Sequence, residues 1–579
     1  MVAQRHHSKR STVNAQAPCG RCHAVLSVCW LQVFLLQRSS GFLAGNNGGF
    51  SAASPSRTSS TSMMTTSTTA TTGTPPSTRY WDTPQPNVPE KFLRSIGEEP
   101  WRGMFEPCVD HALTEIEIEG KVPDGLKGTL FRNGCGRNRD GDRAYGHWFD
   151  GDGHIAKVVF KDGKVYAQNR FVSTDAWDPD APEGRGSAGA VRVWTPRPGG
   201  WLKNVFKLPA NVLNTSVMLK GGKLYALCEG GKPSEMDPVT LETLGERDLG
   251  GIKGCYSAHP TCDESTGETF SLSLGGPKGT VEVARLSPAG TLDASAFFAP
   301  PGNLFWHDST ITEDFVVGLT SPFMAETKDI LAAIFGFGEV GRAFKWDDTQ
   351  KAEVLFFSRD TLELAHRVEL PDLPSVFHII NGYQEEGDGG KAAVFVAKLR
   401  EGGREKLEAM FRDVMGNRLS SDVLCDIYKY EIDVAAGKVL SHGPATSVEG
   451  ALPMELPTID SRYVGKRHRF VYTNGILGDA GFYNCVQRVD LEATTDDSTC
   501  KTHDFGELRY GGEPIFVSRS EDAEEGDGYL IVLVYNAQTH TTDVEVLDAR
   551  NVDAPPLCVA HVPWHLGTSF HGIFTPQIY

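Results

Sequence analysis

Short strand-like runs of apolar residues follow one another along most of this chain, from about residue 81 onwards, with turn residues between them. Residues 155–160 form one such run, Asp162 and Gly163 follow it, and residues 165–167 begin the next. Asp-Gly and Gly-Gly pairs between apolar runs are typical of β-hairpins. A long series without a linker predicts one closed all-β assembly, and a propeller is the natural candidate because radial repetition protects strand edges. Short helices are predicted at residues 328–335 and 406–412.

The first 80 residues differ in composition, because they contain no Asp or Glu, and Ser and Thr are abundant from residue 39 to residue 78. Residues 24–36 form an apolar segment with the length of the hydrophobic region of a signal sequence, too short to span a bilayer comfortably. The stretch that follows lacks apolar periodicity and cannot bury enough surface to fold. This pattern resembles the two-part presequence of algae with complex plastids and predicts plastid localisation, with a secretory signal as the alternative. We therefore divide the chain into a presequence, residues 1–80, and a single propeller domain, residues 81–579.

The charge of the chain excludes one class of partner. The formal net charge is −18. Binding to a phosphate backbone needs clustered Lys and Arg, so no nucleic-acid partner is expected. The charge says little about a neutral apolar substrate.

Four histidines stand in strand-like runs or tight turns and are far apart in sequence: His259, His307, His378 and His571. Neutral imidazole is a good ligand for first-row transition metals. In a propeller, the innermost strand of each blade lines the central axis, so one side chain from each of four blades can meet there. Four imidazoles around an octahedral ion would leave two positions open for O2 or substrate.

Three glutamates, Glu229, Glu455 and Glu513, lie in apolar or Gly/Pro-rich surroundings, where a charge is costly unless it is paired. A metal-bound histidine usually donates its other ring N–H to an acceptor, and these carboxylates are the candidates. Other histidines have structural interpretations. His147 and His154 flank an Asp/Gly turn, and His561 and His565, with Pro563 between them, are predicted to be loop residues.

Several segments together carry a family resemblance: residues 128–134, 147–153, 214–216, 229–233 and 237–243, and the tail around His571. On these motifs the chain resembles the carotenoid cleavage oxygenases, which include carotenoid and apocarotenoid dioxygenases, stilbene dioxygenases and the retinoid isomerohydrolase. The resemblance implies a seven-bladed β-propeller with a dome of loops and helices over the metal face. It implies one Fe(II) per chain, bound by the four histidines. It also implies that Glu229 pairs with His307, Glu455 with His378 and Glu513 with His571, while His259 lacks a carboxylate partner.

The resemblance further implies a dioxygenase that cleaves a C=C bond of a carotenoid or apocarotenoid with O2, giving aldehyde or ketone products. No catalytic residue beyond the metal centre is expected. Three alternatives stay open: a stilbene-type dioxygenase, a retinoid-type isomerohydrolase, and a non-catalytic propeller that serves as a binding platform. The sequence leaves the substrate, the bond that is cut and the oligomeric state open.

An apolar polyene substrate would have to leave a membrane, so a peripheral membrane contact is expected near the mouth of the substrate cavity. Residues 201–208 and 323–337 are candidates because both mix apolar bulk with Lys. The alternative is that both segments pack onto the dome.

Overall fold

The computed structural model describes residues 99–140, 143–177, 191–300, 306–385, 390–400, 423–445, 451–493 and 500–579. The predicted presequence and the predicted helix at residues 406–412 lie outside the described residues. The boundary proposed between residues 80 and 81 lies outside them as well.

The first half of the described chain contains the following strands: β1 (His111–Gly120), β2 (Gly128–Arg137), β3 (Arg139–Asp140), β4 (Arg143–Ala144), β5 (Asp152–Lys161), β6 (Lys164–Phe171), β7 (Ser216–Lys220), β8 (Lys223–Leu227), β9 (Ser234–Met236), β10 (Thr243–Glu246), β11 (Thr261–Cys262), β12 (Thr269–Ser273), β13 (Val281–Leu286), β14 (Leu292–Phe298), β15 (Ser309–Ile311) and β16 (Phe315–Thr320).

The second half contains the remaining strands: β17 (Phe323–Ala325), β18 (Phe344–Trp346), β19 (Glu353–Ser358), β20 (Leu364–Glu369), β21 (Val376–Gln384), β22 (Lys391–Leu399), β23 (Cys425–Asp433), β24 (Lys438–Pro444), β25 (Met454–Thr458), β26 (Phe470–Gly475), β27 (Cys485–Asp490), β28 (Cys500–Asp504), β29 (Arg509–Gly511), β30 (Ile515–Ser518), β31 (Gly528–Asn536), β32 (Thr541–Asp548), β33 (Cys558–Val562) and β34 (Thr568–Thr575).

The helices are short. Those that the structure describes are α1 (Trp201–Asn204) and α2 (Thr327–Ile334), and α2 lies within one residue of its prediction at both ends. Short 3₁₀ turns complete the elements: Pro100–Phe105, Trp148–Asp150, Pro277–Gly279, Val340–Ala343 and Ser461–Tyr463. Among the described residues, no helix is long and apolar enough to cross a membrane.

Within the described residues, the strands pair into seven antiparallel blades, as predicted. Blade 1 has the order β34-β2-β5-β6, with β1 along its outer edge. Blades 2 and 3 are formed by β7 to β10 and by β11 to β14, and blade 4 by β15, β16, β19 and β20. Blades 5 and 6 are formed by β21 to β24 and by β25 to β28, and blade 7 by β29 to β33. Divergent blades fit the lack of a fixed-period repeat in the sequence.

The ring is closed by strands from the two ends of the described chain. The last strand, β34, pairs with β2 in an antiparallel register in which Thr129 faces Thr575 and Arg132 faces Gly572. Strand β1 pairs with β6 on one side and with β33 of blade 7 on the other. Closure removes two exposed strand edges, which would otherwise be free to pair with another chain.

The core lies between neighbouring blades, where apolar side chains from facing sheets meet. Phe270 and Val283 of blade 3, for example, share a cluster with Val316 and Phe357 of blade 4, and all four are fully buried. On one face of the ring, the β17–β18 hairpin and α2 form an insertion within blade 4 whose residues line the central cavity. This insertion is part of the predicted dome.

Candidate metal centre

The four predicted histidines come together in one cluster. Ring centroids lie 4.4 Å apart for His259 and His307 and for His259 and His571. The other measured separations are 5.3 Å for His259 and His378, 5.2 Å for His307 and His378, and 5.1 Å for His378 and His571. Ring nitrogens of His259, His378 and His571 all lie within 4.8 Å of one another, close enough to share one ion.

Each histidine comes from the axial end of a different blade. His378 lies in β21 and His571 in β34, while His259 and His307 each come two residues before the first strand of their blades, β11 and β15. The three glutamates come from the three remaining blades. Every blade therefore contributes one residue to the cluster: His571, Glu229, His259, His307, His378, Glu455 and Glu513 for blades 1 to 7.

Each glutamate lies against the histidine with which the resemblance paired it. The Nδ1 atom of His307 is 2.6 Å from Oε1 of Glu229. Nδ1 of His378 is 2.7 Å from Oε2 of Glu455, and Nδ1 of His571 is 2.8 Å from Oε1 of Glu513. A carboxylate at Nδ1 fixes the proton there, so the lone pair of each ring lies on Nε2.

The ring nitrogens that remain fit a metal ion. Nε2 of His259 and Nε2 of His378 are buried and have no hydrogen-bond partner among the described residues. A buried polar atom without a partner is destabilising, so such atoms call for a ligand. Burial, together with the three neighbouring imidazoles, holds the pKa of His259 well below its usual range, which keeps this ring neutral and able to coordinate.

The three carboxyls are charged although they are buried. Burial raises the pKa of Glu229, Glu455 and Glu513, but the groups around each one together outweigh burial and hold the pKa below its usual range, with the adjacent histidine the largest of these opposing causes. For His378, burial lowers the pKa, while Glu455 and then Asp308 raise it, to about 9 without a bound ion. Three carboxylates would bring the cluster close to neutrality around a divalent cation and one further positive charge.

That further charge is Arg132, a residue of β2 that is 1% exposed. Its Nη1 donates to Oε2 of Glu513 at 2.5 Å, and its Nη2 donates to the carbonyl oxygen of Phe570 at 3.0 Å. The backbone N–H of Gly572 donates to the same Oε2 at 3.1 Å. Arg132 therefore holds both Glu513 and the strand that carries His571.

The carboxylate of Glu455 has neutral donors instead. The backbone N–H of Leu456 donates to Oε2 at 2.8 Å, and the thiol of Cys425 lies 3.3 Å from Oε1. Burial and the neighbouring Glu455 raise the pKa of Cys425 well above its usual range, so the thiol keeps its proton and acts as a donor.

Asp308 links two of the histidines. It follows His307 directly, and its carboxylate accepts the backbone N–H of Ile379, next to His378, at 2.7 Å. It also accepts the N–H of Ser309 at 2.7 Å. Burial raises the pKa of Asp308 to about 6. The side chain therefore ties the turn that carries His307 to the strand that carries His378.

The cluster opens into a cavity of about 1250 Å³. His307, His378 and His571 line it, and its lining includes six further aromatic residues: Trp148, Phe149, Trp194, Phe377, Phe482 and Phe570. Phe570 packs edge-on against Trp148 and Phe149, with ring centroids 5.3 and 5.6 Å apart. This volume exceeds the usual range for small-molecule sites and suits a long apolar ligand.

An exposed aromatic surface lies at one mouth of the cavity. We call it the aromatic rim, and it consists of Trp201, Leu202, Phe206, Phe335 and Phe337, whose exposed fractions run from 46% to 69%. Trp201 stacks on Phe337 at 5.6 Å, and Phe206 meets Phe335 at 5.4 Å. Phe206 also lines the cavity. The two predicted segments thus form one surface, and α1 covers only the first four residues of its segment.

The remaining histidines lie elsewhere. His147 accepts the N–H of Phe149 and caps a 3₁₀ turn, and Nε2 of His154 is 2.9 Å from Asn169, so both are structural. The prediction that His561 is a loop residue is wrong, because His561 lies in β33 and its Nδ1 is 2.8 Å from Asp543. His565 lies in a loop and its Nε2 is 2.9 Å from the carbonyl oxygen of Glu106.

Sequence reasoning assigned no role to Arg132, Cys425 or Asp308. Asp308 left a signal, since it follows a predicted ligand in the same short motif. Arg132 lies in residues 128–134, a segment that carries the family resemblance, but nothing local indicates its partner. Cys425 carries no local signal of a role, and all nine cysteines that the structure describes are free.

Comparisons with known proteins agree with this geometry. Residues 105–576 match the family described as retinal pigment epithelial membrane protein. The chain is 30% identical to the apocarotenoid-15,15'-oxygenase of Synechocystis, over 84% of this chain and 96% of the relative. It is 27% identical to the carotenoid 9,10(9',10')-cleavage dioxygenase 1 of Arabidopsis thaliana, over 82% and 89%. The crystal structure of cobalt-substituted Synechocystis apocarotenoid oxygenase superposes with a TM-score of 0.71 at 28% identity, covering 82% of this chain and 98% of that one.

Proposed function

The chain belongs to the carotenoid oxygenase family typified by retinal pigment epithelial membrane protein, and we propose that it is a ferrous dioxygenase that cleaves a C=C bond of a carotenoid or apocarotenoid. One alkene and one O2 give two carbonyl products, so both oxygen atoms are accounted for and no further reductant is needed.

The observation that carries this proposal is the cluster of four imidazoles at the wall of an apolar cavity. Three rings are oriented by carboxylates at Nδ1, and the fourth is kept neutral by burial. His259, His307, His378 and His571 would hold the ion, and Glu229, Glu455 and Glu513 would orient three of them. An all-imidazole set suits iron and leaves coordination positions open. Ferrous iron, when bound, supplies the activation of O2 that no side chain can provide.

The side chains of the protein supply position and a dry environment. The aromatic walls around Phe149 and Phe570 bind a conjugated chain by its faces, and they exclude water from the space in front of the histidines. The three glutamates keep a proton on Nδ1 and keep Nε2 free for the ion throughout. No side chain is required as a nucleophile or as a general acid.

The test is a substrate panel under labelled oxygen. Iron-loaded protein is incubated with carotenoids, apocarotenoids and stilbenes under ¹⁸O2, and the products are analysed by mass spectrometry. Label in both carbonyl products of a polyene supports the proposal. Cleavage of stilbenes alone would make stilbenes, rather than carotenoids, the substrate class. Turnover without O2 would indicate isomerisation or ester cleavage. A chain that binds no iron and converts none of these compounds would be a binding platform.

The aromatic rim supports a second part of the proposal, a peripheral contact with a membrane that holds the substrate. Exposed aromatic and aliphatic side chains at a cavity mouth are suited to the boundary between lipid headgroups and acyl chains. Phe335→Ser should reduce cosedimentation with liposomes by several-fold. Leu440→Ser, on the exposed outer strand β24, is the matched control and should have no effect. Equal binding of both variants and the unaltered protein would argue against the rim as the contact.

For localisation, the acid-free N-terminal segment supports import into a plastid. Residues 1–80 fused to a fluorescent protein should direct it to the plastid of an alga with complex plastids. A fusion that is secreted instead would support the simple signal sequence.

A further inference from the structure

Two parts of the cavity wall differ in chemistry. The part next to the aromatic rim is apolar, with Ile330, Ile334 and Phe344 in the lining together with Phe206. The part that comes from blades 2 and 3 is rich in glycine, with Gly230, Gly231, Gly245, Gly254 and Gly275. Polar residues from the same region also line the cavity: Asn211, Lys232 and Glu246. Gly230 and Glu246 are exposed, so this polar part of the wall reaches the surface.

The backbone of Lys232 is held in place in this polar part of the wall. Its carbonyl oxygen accepts a hydrogen bond from Nδ2 of Asn211 at 2.9 Å, and the same amide lies 3.4 Å from Oε1 of Glu246. The carbonyl oxygen of Gly231, next to it, accepts the N–H of Tyr256 from blade 3. The backbone of the loop is therefore fixed to both neighbouring segments, and its half-buried lysine is part of the cavity wall.

The ammonium group of Lys232 has neither an ion-pair partner nor a hydrogen-bond partner in the part of the chain that the structure describes. Its charge acts on Cys255, another residue of the cavity wall, where burial raises the pKa of the thiol to about 12 and the lysine opposes this. Lys223 of the same blade, by comparison, lies 3.3 Å from Glu235. A cation at the wall of an apolar cavity can donate to an oxygen atom of a ligand.

The backbone of Lys232 also lies close to the histidine cluster. Lys232 follows Glu229 by three residues, which places their Cα atoms no more than about 11 Å apart, and Glu229 contacts His307. A rigid conjugated chain whose end is bound at Lys232 would present one particular bond to the histidines.

Resting on the function proposed above, we propose that Lys232 binds an oxygen atom at one end of the polyene and so determines which double bond lies at the histidine cluster. The substrate class is then a carotenoid or apocarotenoid with a hydroxyl, carbonyl or carboxylate end, bound with its apolar remainder toward the aromatic rim.

The first measurement is binding, independent of turnover. Quenching of tryptophan fluorescence in metal-free protein is followed with two polyenes of equal length, one ending in an aldehyde and the other in a methyl group. Lys232→Met should weaken binding of the aldehyde about tenfold, as expected for a lost hydrogen bond to a charged group, and leave binding of the hydrocarbon unchanged. Lys232→Arg should keep most of the preference for the aldehyde over the hydrocarbon. Lys203→Met, on α1 outside the cavity wall, should behave like the unaltered protein.

The second measurement is the position of cleavage. Iron-loaded Lys232→Met should yield products of several chain lengths from the aldehyde, whereas the unaltered protein should yield one pair. A purely structural lysine would lower the amount of product without changing its length. Alcohol- and acid-ended chains of the same length show which oxygen is preferred.

Two results would overturn the assignment of Lys232 and leave the dioxygenase proposal standing. One is an equal loss of binding affinity for both polyenes in Lys232→Met, and the other is an unchanged pair of products from this variant. Failure of the unaltered protein to bind either polyene would overturn both.

Discussion

Two groups of buried histidines can be compared in this protein. One is the cluster of His259, His307, His378 and His571 at the axis. The other comprises His154, His540 and His565, in which His540 and His565 stack with ring centroids 4.1 Å apart. At the axis, three rings face carboxylates, and two rings have buried nitrogens without a hydrogen-bond partner in the described parts of the chain.

In the second group the ring nitrogens meet neutral protein groups. The partners are Asn169 for His154, the hydroxyl of Tyr535 for His540, and the carbonyl oxygen of Glu106 for His565, all at 2.9 Å. No three metal-ligating side chains of this group come close enough to share an ion, within the ranges that the structure describes. The comparison teaches that the partners of the ring nitrogens, rather than the number of clustered histidines, distinguish a metal centre from packing.

The largest contrast is expected in metal content. His378→Ala should lower iron affinity by more than about 100-fold. Loss of the group that hydrogen-bonds to a metal ligand already costs about 10- to 100-fold, and this variant loses the ligand itself. His565→Ala should retain iron and lose about 1–3 kcal/mol of stability, because it leaves a buried carbonyl oxygen without its partner. Iron is measured by elemental analysis and chelator competition, with exposed His442→Ala as the control. Equal loss of iron in His378→Ala and His565→Ala would contradict the distinction between the two groups of histidines.

The buried charge that supports the axial cluster gives the next effect. Arg132→Met should lower the free energy of unfolding of the metal-free protein by about 3–5 kcal/mol, because Glu513 would stay buried without its cation. Adding Glu513→Gln to this variant should recover part of the loss. Arg467→Met, which breaks the exposed pair with Glu492, should cost about 1 kcal/mol or less. Denaturant unfolding checks both values, and similar losses in the two variants would refute the role of Arg132.

A smaller effect is expected from a single carboxylate at the axis. Glu455→Gln should weaken iron binding about tenfold, because the amide can still accept a hydrogen bond from His378 but no longer carries charge. Glu492→Gln on the surface is the matched control. An unchanged iron affinity would show that charge at Nδ1 does not matter here.

The second group predicts a pH dependence. Burial lowers the pKa of His540 to about 2, of His154 to about 3 and of His565 to about 4, all below the value of about 6.5 in an unfolded chain. The folded state therefore favours the neutral rings, and their stabilisation is complete above about pH 6.5 and is lost as the pH falls below it. Between about pH 6.5 and its own folded-state pKa, each histidine lowers the free energy of unfolding by about 1.4 kcal/mol for each unit by which the pH falls.

His540→Asn tests this, because Asn tolerates the left-handed backbone that His540 adopts at φ 56°. The variant should show a shallower fall in unfolding free energy between pH 7 and pH 5 than the unaltered protein does. Exposed His442→Asn should leave the slope unchanged, and an identical slope for all three proteins would contradict the prediction.

The sequence allowed the ring and the axial cluster to be anticipated because both depend on local patterns. Asp162 and Gly163 marked the β5–β6 turn, and the histidines stood in short motifs that carried a family resemblance. The contact between Arg132 and Glu513 could not be predicted in this way, since 381 residues separate them and only closure of the ring brings blade 7 next to blade 1. His561 was misplaced because Pro563 suggested a loop. The strand runs to Val562 and ends there, since proline cannot donate to a ladder.

The pairing of β34 with β2 has a consequence for biosynthesis. A nascent chain exposes His259, His307 and His378 long before the ribosome reaches His571, and until then the blade that begins with β2 lacks its axial strand. Any ion captured during translation would be held by an incomplete set of ligands in an open ring. Durable loading with metal must therefore wait until synthesis has passed residue 575 and the last strand has docked.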